Sequence, residues 1–97
     1  MAADDRHVEE MSRGLEILRE LSVGFEVGDP DPKTKDYPLI GARRTVAWVS
    51  WEFVGDLPNT PGYKGILEKA LDEIRRESRQ KNRRMIFILE RGVKIGG

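Results

Sequence analysis

The sequence predicts an α+β domain: a small, mainly antiparallel sheet with two helices packed on one face, in the order α-β-β-α-β with a further β at the end. Two segments, 8–21 and 63–74, repeat apolar residues at the spacing of one helix face, whereas 45–54 alternates as a strand does. A chain of 97 residues has the size of one domain. We therefore expect a single domain over 1–97, with an N-terminal tail at 1–4.

The first helix is predicted from residue 4 or 5 to about Leu21. Asp4 and Asp5 stand at its start, where carboxylates cap free amides and complement the helix dipole. Gly14 in the middle costs roughly 1 kcal/mol relative to alanine. It indicates either close approach of another backbone or simple tolerance, and we favour tolerance. The predicted apolar stripe consists of Val8, Met11, Leu15 and Leu18, widened by Ile17 and Leu21.

A short strand is predicted directly after this helix, because Val23, Phe25 and Val27 alternate with glycine and glutamate. The next segment, 28–44, contains three of the five prolines and is expected to form a long loop. Its part 29–36 has no aliphatic side chain, so we expect it to be mobile or extended until a neighbouring protein orders it. The loop residues assigned to an interaction surface are Asp29, Asp31, Lys33, Lys35 and Tyr37.

The second strand is predicted over Thr45 to Val54, with apolar groups on both faces. Trp48 and Trp51 are three positions apart, so on a strand they would point to opposite faces. One indole would then be core, and the other would lie at an interface, where large aromatic side chains are enriched. The alternative is that a helix and the long loop cover both faces.

The second helix has the most regular pattern in the chain. Its apolar stripe runs from Tyr63 to Ile74, and Thr60 and Pro61 are expected to be the N-cap and the first helical residue. We expect this helix to end near Asn82. A third strand is predicted at 84–90, and after a turn Val93 and Ile95 indicate a short fourth strand.

Basic residues are densest where the second helix is expected to end. Clustered guanidinium groups could bind phosphate and release counterions from nucleic acid. The same residues also complement the helix dipole and face acids on the preceding turns, and we favour this structural interpretation. The cluster consists of Arg75, Arg76, Arg79, Lys81, Arg83 and Arg84, and the acids are Glu68, Asp72 and Glu73.

Composition and motifs argue against several functions. Basic and acidic residues are equal at 17 each, and there is no cysteine, which removes thiolate metal sites and disulfides. The single histidine, His7, is interpreted as solvated, and Asp29, Asp31 and Asp36 lack the glycine and terminal glutamate of a calcium loop. We therefore expect no enzyme activity, catalytic residue, metal or cofactor. The acidic start and the short apolar runs predict a soluble cytoplasmic protein without a signal peptide or membrane contact.

One set of residues follows the order helix, short strand, long loop, aromatic strand, proline-containing corner and amphipathic helix: Leu18, Ser22, Val23, Val27, Gly28, Glu52, Phe53, Gly55, Pro58 and Pro61. This order of elements and residues resembles the small neck and tail-completion proteins of long-tailed bacteriophages, which join the capsid portal to the tail tube. Departures from their pattern occur at Val54, which interrupts Glu-Phe-Gly, at Thr60, which replaces an arginine, and at Tyr63, which follows Gly62 in place of phenylalanine.

The resemblance implies a homo-oligomeric, ring-forming structural protein of the virion that also binds neighbouring proteins. The same exposed groups would equally serve a small interaction module, such as an inhibitor of a host or bacterial enzyme. Nucleic acid, bound through the basic cluster at 75–84, is a further and less favoured partner.

Overall fold

The computed structural model describes the backbone of residues 2–80 and 84–96, and the side chains from residue 9 onward within these ranges. This part of the chain forms three helices and five strands. The helices are α1 (Ala2–Leu21), α2 (Trp51–Asp56) and α3 (Gly62–Glu77). The strands are β1 (Glu26–Val27), β2 (Tyr37–Gly41), β3 (Arg44–Val49), β4 (Met85–Leu89) and β5 (Gly92–Gly96).

The five strands form one sheet in the order β1-β2-β3-β4-β5. β3 and β4 are parallel and are joined by the crossover through α2 and α3, whereas the other neighbouring pairs are antiparallel. The helices lie on one side of the sheet. The predicted α+β class with a mainly antiparallel sheet is therefore confirmed, and β2 and α2 are additional to the predicted order.

The core lies between the helices and the face of the sheet that they cover. α3 contributes Leu67, Ala70, Leu71 and Ile74, which confirms the predicted stripe. Alternate residues of β3 and β4 meet them from the sheet: Ala47, Val49, Ile86 and Ile88. Among the described helices, none combines the length and apolar character needed to cross a bilayer.

The segment 28–44 contains a strand, so the prediction of one long loop is wrong. Tyr37–Gly41 pairs with β1 on one side and β3 on the other, and the Pro38 carbonyl accepts the Gly28 N–H at 3.0 Å. The turn into β3 places Ala42 at φ 52° and Arg43 at φ 66°. Positive φ at both central residues is typical of a type I′ hairpin turn, which matches the twist of the strands it joins.

The predicted second strand ends at Val49, and Trp51–Asp56 is helical instead. The Ser50 side chain accepts the Glu52 N–H at 3.2 Å, and the Asp36 carboxylate accepts the Trp51 N–H at 3.3 Å. These two acceptors satisfy amides that a helix N-terminus leaves free. The expectation that Trp48 and Trp51 share one strand is therefore wrong.

Smaller differences concern the ends of elements. The first strand is limited to Glu26–Val27, and Val23 lies in a turn with 73% of its surface exposed. α3 begins at Gly62 with Pro61 at the N-cap, one residue later than predicted, and ends at Glu77 rather than near Asn82, which lies outside the described residues. β4 and β5 confirm the two strands predicted near the C-terminus.

Candidate functional site

The face of the sheet opposite the helices carries large apolar side chains. Trp48 pairs in register with Phe87 on β4, and on its other side with Pro38 on β2. Both aromatic side chains are half-buried, and they lie outside the core cluster. Residues paired across neighbouring strands share a face of the sheet, so the side chains stand together. We call this surface the open face; it consists of Pro38, Trp48, Met85, Phe87, Leu89 and Lys94.

A glycine on β5 lies against the ring of Phe87. A Cβ added at Gly96 would lie 2.7 Å from Phe87 Cε2, closer than side chains approach one another in proteins. The ring therefore occupies the space that a side chain at position 96 would take. The parallel register of β3 and β4 places Trp48 beside Phe87 at the centre of the open face.

A second surface, which we call the Trp51 cleft, lies at the end of the sheet where the C-termini of β3 and β4 are found. The Trp51 indole, which is half-buried, forms a wall shared by two grooves. One groove is mainly apolar, with a volume of about 320 Å³, and the other is acidic, with a volume of about 250 Å³. Besides Trp51, the apolar groove is lined by Met11, Pro30, Lys35 and Tyr37, and the acidic groove by Glu10, Glu52, Gly55, Asp56 and Glu90.

The carboxylates of the acidic groove affect one another. A hydrogen bond with Glu52 raises the pKa of Glu90, and desolvation and the charges of Glu52 and Asp56 raise it further, against a smaller effect of Arg91. The charges of Glu52 and Asp56 therefore act on Glu90 across the groove.

The influence of these acids extends to α3. Tyr63 stacks on Phe53 with the ring centres 4.5 Å apart and the planes 5° from parallel. Burial raises the pKa of Tyr63, and the charges of Glu90, Asp56 and Glu52 raise it further. Tyr63 therefore remains a neutral side chain between the core and the cleft at neutral pH.

The segment 29–36 is folded by Asp31. Its carboxylate accepts the N–H groups of Lys33 and Thr34 at 2.7 and 3.0 Å, and these bonds lower its pKa. The main-chain carbonyl of Asp31 also accepts the Lys35 N–H at 2.8 Å. Segment 29–36 is thus a hydrogen-bonded turn, and the expectation of an extended segment is wrong. The turn places Lys35 and Tyr37 beside Trp51, while Asp29 and Lys33 are exposed outside the cleft lining.

The basic cluster lies at the opposite end of the sheet, where β3 and β4 begin, and acidic side chains neutralise part of its charge. Arg75 pairs with Asp72 at 3.3 Å, and Arg76 pairs with Glu73 at 3.1 Å. These two ion pairs follow the pattern expected from a helix stabilised by its own acids. The structure adds Arg43 and Arg44 to this region, whereas Lys81 and Arg83 lie outside the described residues.

Arg84 has a different role. Its Nε and Nη2 donate to Glu77 Oε1 at 3.0 and 2.7 Å. The Glu77 side chain is 8% exposed, while that of Arg84 is 55% exposed. A buried carboxylate requires such a partner, so Arg84 connects α3 to the start of β4.

Sequence reasoning identified Trp48, Trp51, Lys35 and Tyr37, but it missed the partners that define both surfaces. Glu52 and Asp56 are four positions apart, a spacing that places side chains together only on a helix. Glu10 and Glu90 join them through the packing of α1 and the β4–β5 turn. Within the described residues, no group of three or more acidic or histidine side chains has a geometry that could hold a metal ion.

Comparison of the chain with protein-family models, with curated proteins and with solved structures found no match in any of the three. The function is therefore inferred from the open face and the Trp51 cleft.

Proposed function

We propose that the chain is a small assembly subunit that acts by binding other proteins, including copies of itself, rather than by catalysing a reaction. The observation that carries this proposal is the open face, where Trp48 and Phe87 stand side by side on neighbouring strands. Aromatic side chains on a rigid surface are enriched at the centres of protein interfaces. The half-buried Met85 and Leu89 widen the contact area that a partner could cover.

The finer form of this proposal is a neck or tail-completion subunit of a long-tailed bacteriophage, present in the cytoplasm before it enters the virion. Its support is the sequence resemblance, although Glu52 and Phe53, expected at the end of a strand, belong to α2. Neighbouring genes for portal and tail proteins would support this role. A position beside a defence or toxin gene would instead favour an inhibitor that uses the same face.

The role of the open face is tested by Trp48→Ser. Sedimentation velocity over a range of concentrations measures self-association, and retention of proteins from the native source on immobilised chain measures partner binding. We expect the variant to lose binding about tenfold or more, since central aromatic residues dominate interface energies. Val23→Ser is the matched control, because it removes an exposed apolar side chain from a turn outside the open face.

Circular dichroism and a thermal melt establish that each variant folds, and Lys94→Glu probes the same face without removing an aromatic ring. A wild-type chain that stays monomeric and retains no partner contradicts the proposal. Equal binding by the wild type and the Trp48 variant would show that a surface other than the open face binds the partner.

A further inference from the structure

Charged side chains are divided between the two ends of the strands in the sheet. Because β3 and β4 are parallel, both strands begin at one end of the sheet and finish at the opposite end. Glu52 and Glu90 follow the ends of these strands, whereas Arg44 and Arg84 lie at their beginnings. With strands of six and five residues, the two sets lie roughly 17–20 Å apart.

The first set forms what we call the acidic end: Glu10, Glu52, Asp56 and Glu90 of the Trp51 cleft. Arg91 opposes the charge on Glu90, but its effect is smaller than that of the neighbouring acids. The acids of the described chain do not form a metal site, and they line a cleft rather than surround a point. A planar, delocalised guanidinium group with several donors suits such spaced carboxylates better than a small cation does.

The second set forms what we call the basic end: Arg43, Arg44, Arg75, Arg76, Arg79 and Arg84. Three of these six arginines are paired with Asp72, Glu73 and Glu77 of the same chain. The other three, Arg43, Arg44 and Arg79, are exposed. Arg43 lies at the tip of the β2–β3 hairpin, from which its side chain can reach a neighbouring molecule.

We propose that the acidic end of one copy binds the basic end of a second copy, so that the chains associate head to tail. This inference rests on the proposed assembly function and adds a second contact between copies, through the two charged ends, to the contact through the open face. The whole chain carries no net charge, so no net repulsion between copies opposes the attraction of unlike ends. Like ends repel each other, which favours the head-to-tail orientation. Two different surfaces on one subunit generate a heterologous contact, which closes into a ring or extends as a filament.

Two charge-reversed variants test the arrangement. The first carries Glu52→Lys with Asp56→Lys, and the second carries Arg44→Glu with Arg79→Glu. All four residues are exposed. Arg75, Arg76 and Arg84 are left unchanged, because they hold ion pairs within the chain. The matched control, Glu16→Lys with Glu68→Lys, reverses two exposed carboxylates that do not line the cleft.

Sedimentation velocity at low and high sodium chloride measures self-association. We expect the wild type and the control to associate, with weaker association in high salt. Each charge-reversed variant alone should associate about tenfold or more weakly. An equimolar mixture of the two should associate again, because each supplies an end that the other lacks.

The failures of the two proposals can be distinguished. If Trp48→Ser removes the association of the wild type while both charge-reversed variants still associate, the head-to-tail contact is overturned. The open face then remains the interface between copies. A mixture of the variants that stays monomeric would also overturn the head-to-tail contact. A wild-type chain that is monomeric yet retains a partner through the open face would contradict only the association of copies.

Discussion

Gly14 of α1 lies directly against the carbonyl oxygen of Val54 in α2. A Cβ added at Gly14 would overlap that oxygen and would lie 2.8 Å from the carbonyl carbon. The interpretation of Gly14 as a tolerated residue is therefore wrong, since the two backbones meet there. This contact fixes α1 against the short helix that carries Trp51, Glu52 and Asp56.

Gly14→Ala should destabilise the protein by about 1–3 kcal/mol, because the overpacking outweighs the gain in helix propensity. Gly65→Ala is the matched control, since Gly65 is also helical and a Cβ there meets nothing within 4 Å. The control should stabilise by about 0.5–1 kcal/mol. Urea unfolding of both variants measures the difference; two stabilising alanines would mean that α1 does not pack on Val54.

Arg84→Met should destabilise the protein by about 1–3 kcal/mol, because it leaves the Glu77 carboxylate buried without a cationic partner. The loss is smaller than for a fully buried pair, since water reaches the exposed Arg84 side. Adding Glu77→Leu should recover most of the loss. Arg76→Met breaks an exposed pair and should change the stability by less than about 0.5 kcal/mol. Equal effects at Arg84 and Arg76 would contradict a structural role for Arg84.

Glu52→Gln should stabilise the protein at pH 7 and have less effect near pH 4. The pKa of Glu90 is raised in the folded state. Protonation of Glu90 therefore stabilises the wild-type protein below the unfolded-state pKa of about 4.3, and this stabilisation is lost as the pH rises through the folded-state pKa. Removing the Glu52 charge lowers the pKa of Glu90 and reduces that loss. Denaturant unfolding at both pH values measures the effect, with the exposed Glu68→Gln as control. A difference from wild type that is the same at pH 4 and pH 7 would exclude this coupling.

α3, β4 and β5 could be predicted because their apolar spacing coincides with their burial. β2 was missed since Pro38 disfavours a strand assignment, and the turn after it uses Ala42 and Arg43 where Asn-Gly would be the recognisable signal. α2 was missed because the alternation of β3 continues through Trp51 to Val54. There the spacing of Phe53, Val54 and Leu57 after Ser50 is the helical signal, and it competes with that alternation.

The partner residues in both candidate surfaces follow from contacts between elements that are distant in sequence. Trp48 was assigned to an interface from its size alone, but its neighbour Phe87 follows from the parallel register of β3 and β4. The acidic groove needs α2 to bring Glu52 and Asp56 onto one side, and it needs packing over long sequence separations to add Glu10 and Glu90. Local patterns in the sequence do not specify such contacts.

Segment 29–36 should be protected from hydrogen exchange in the isolated chain at the amides of Lys33 and Thr34, because the Asp31 carboxylate accepts both. Asp31→Ala should remove this protection, whereas Asp29→Ala, at a neighbouring exposed position, should leave it unchanged. The pKa of Asp31 is lowered in the folded state.

The stabilisation that Asp31 provides is therefore present above its unfolded pKa of about 3.9 and is lost as pH falls through its lower folded value. Protection at Lys33 and Thr34, read by exchange at several acidic pH values and corrected for intrinsic rates, should decline in that range, while α3 stays protected. Exchange of the wild-type segment at the rate of an unfolded chain at neutral pH would show that its proline-rich composition prevails over these hydrogen bonds, and that a neighbouring protein is needed to order it.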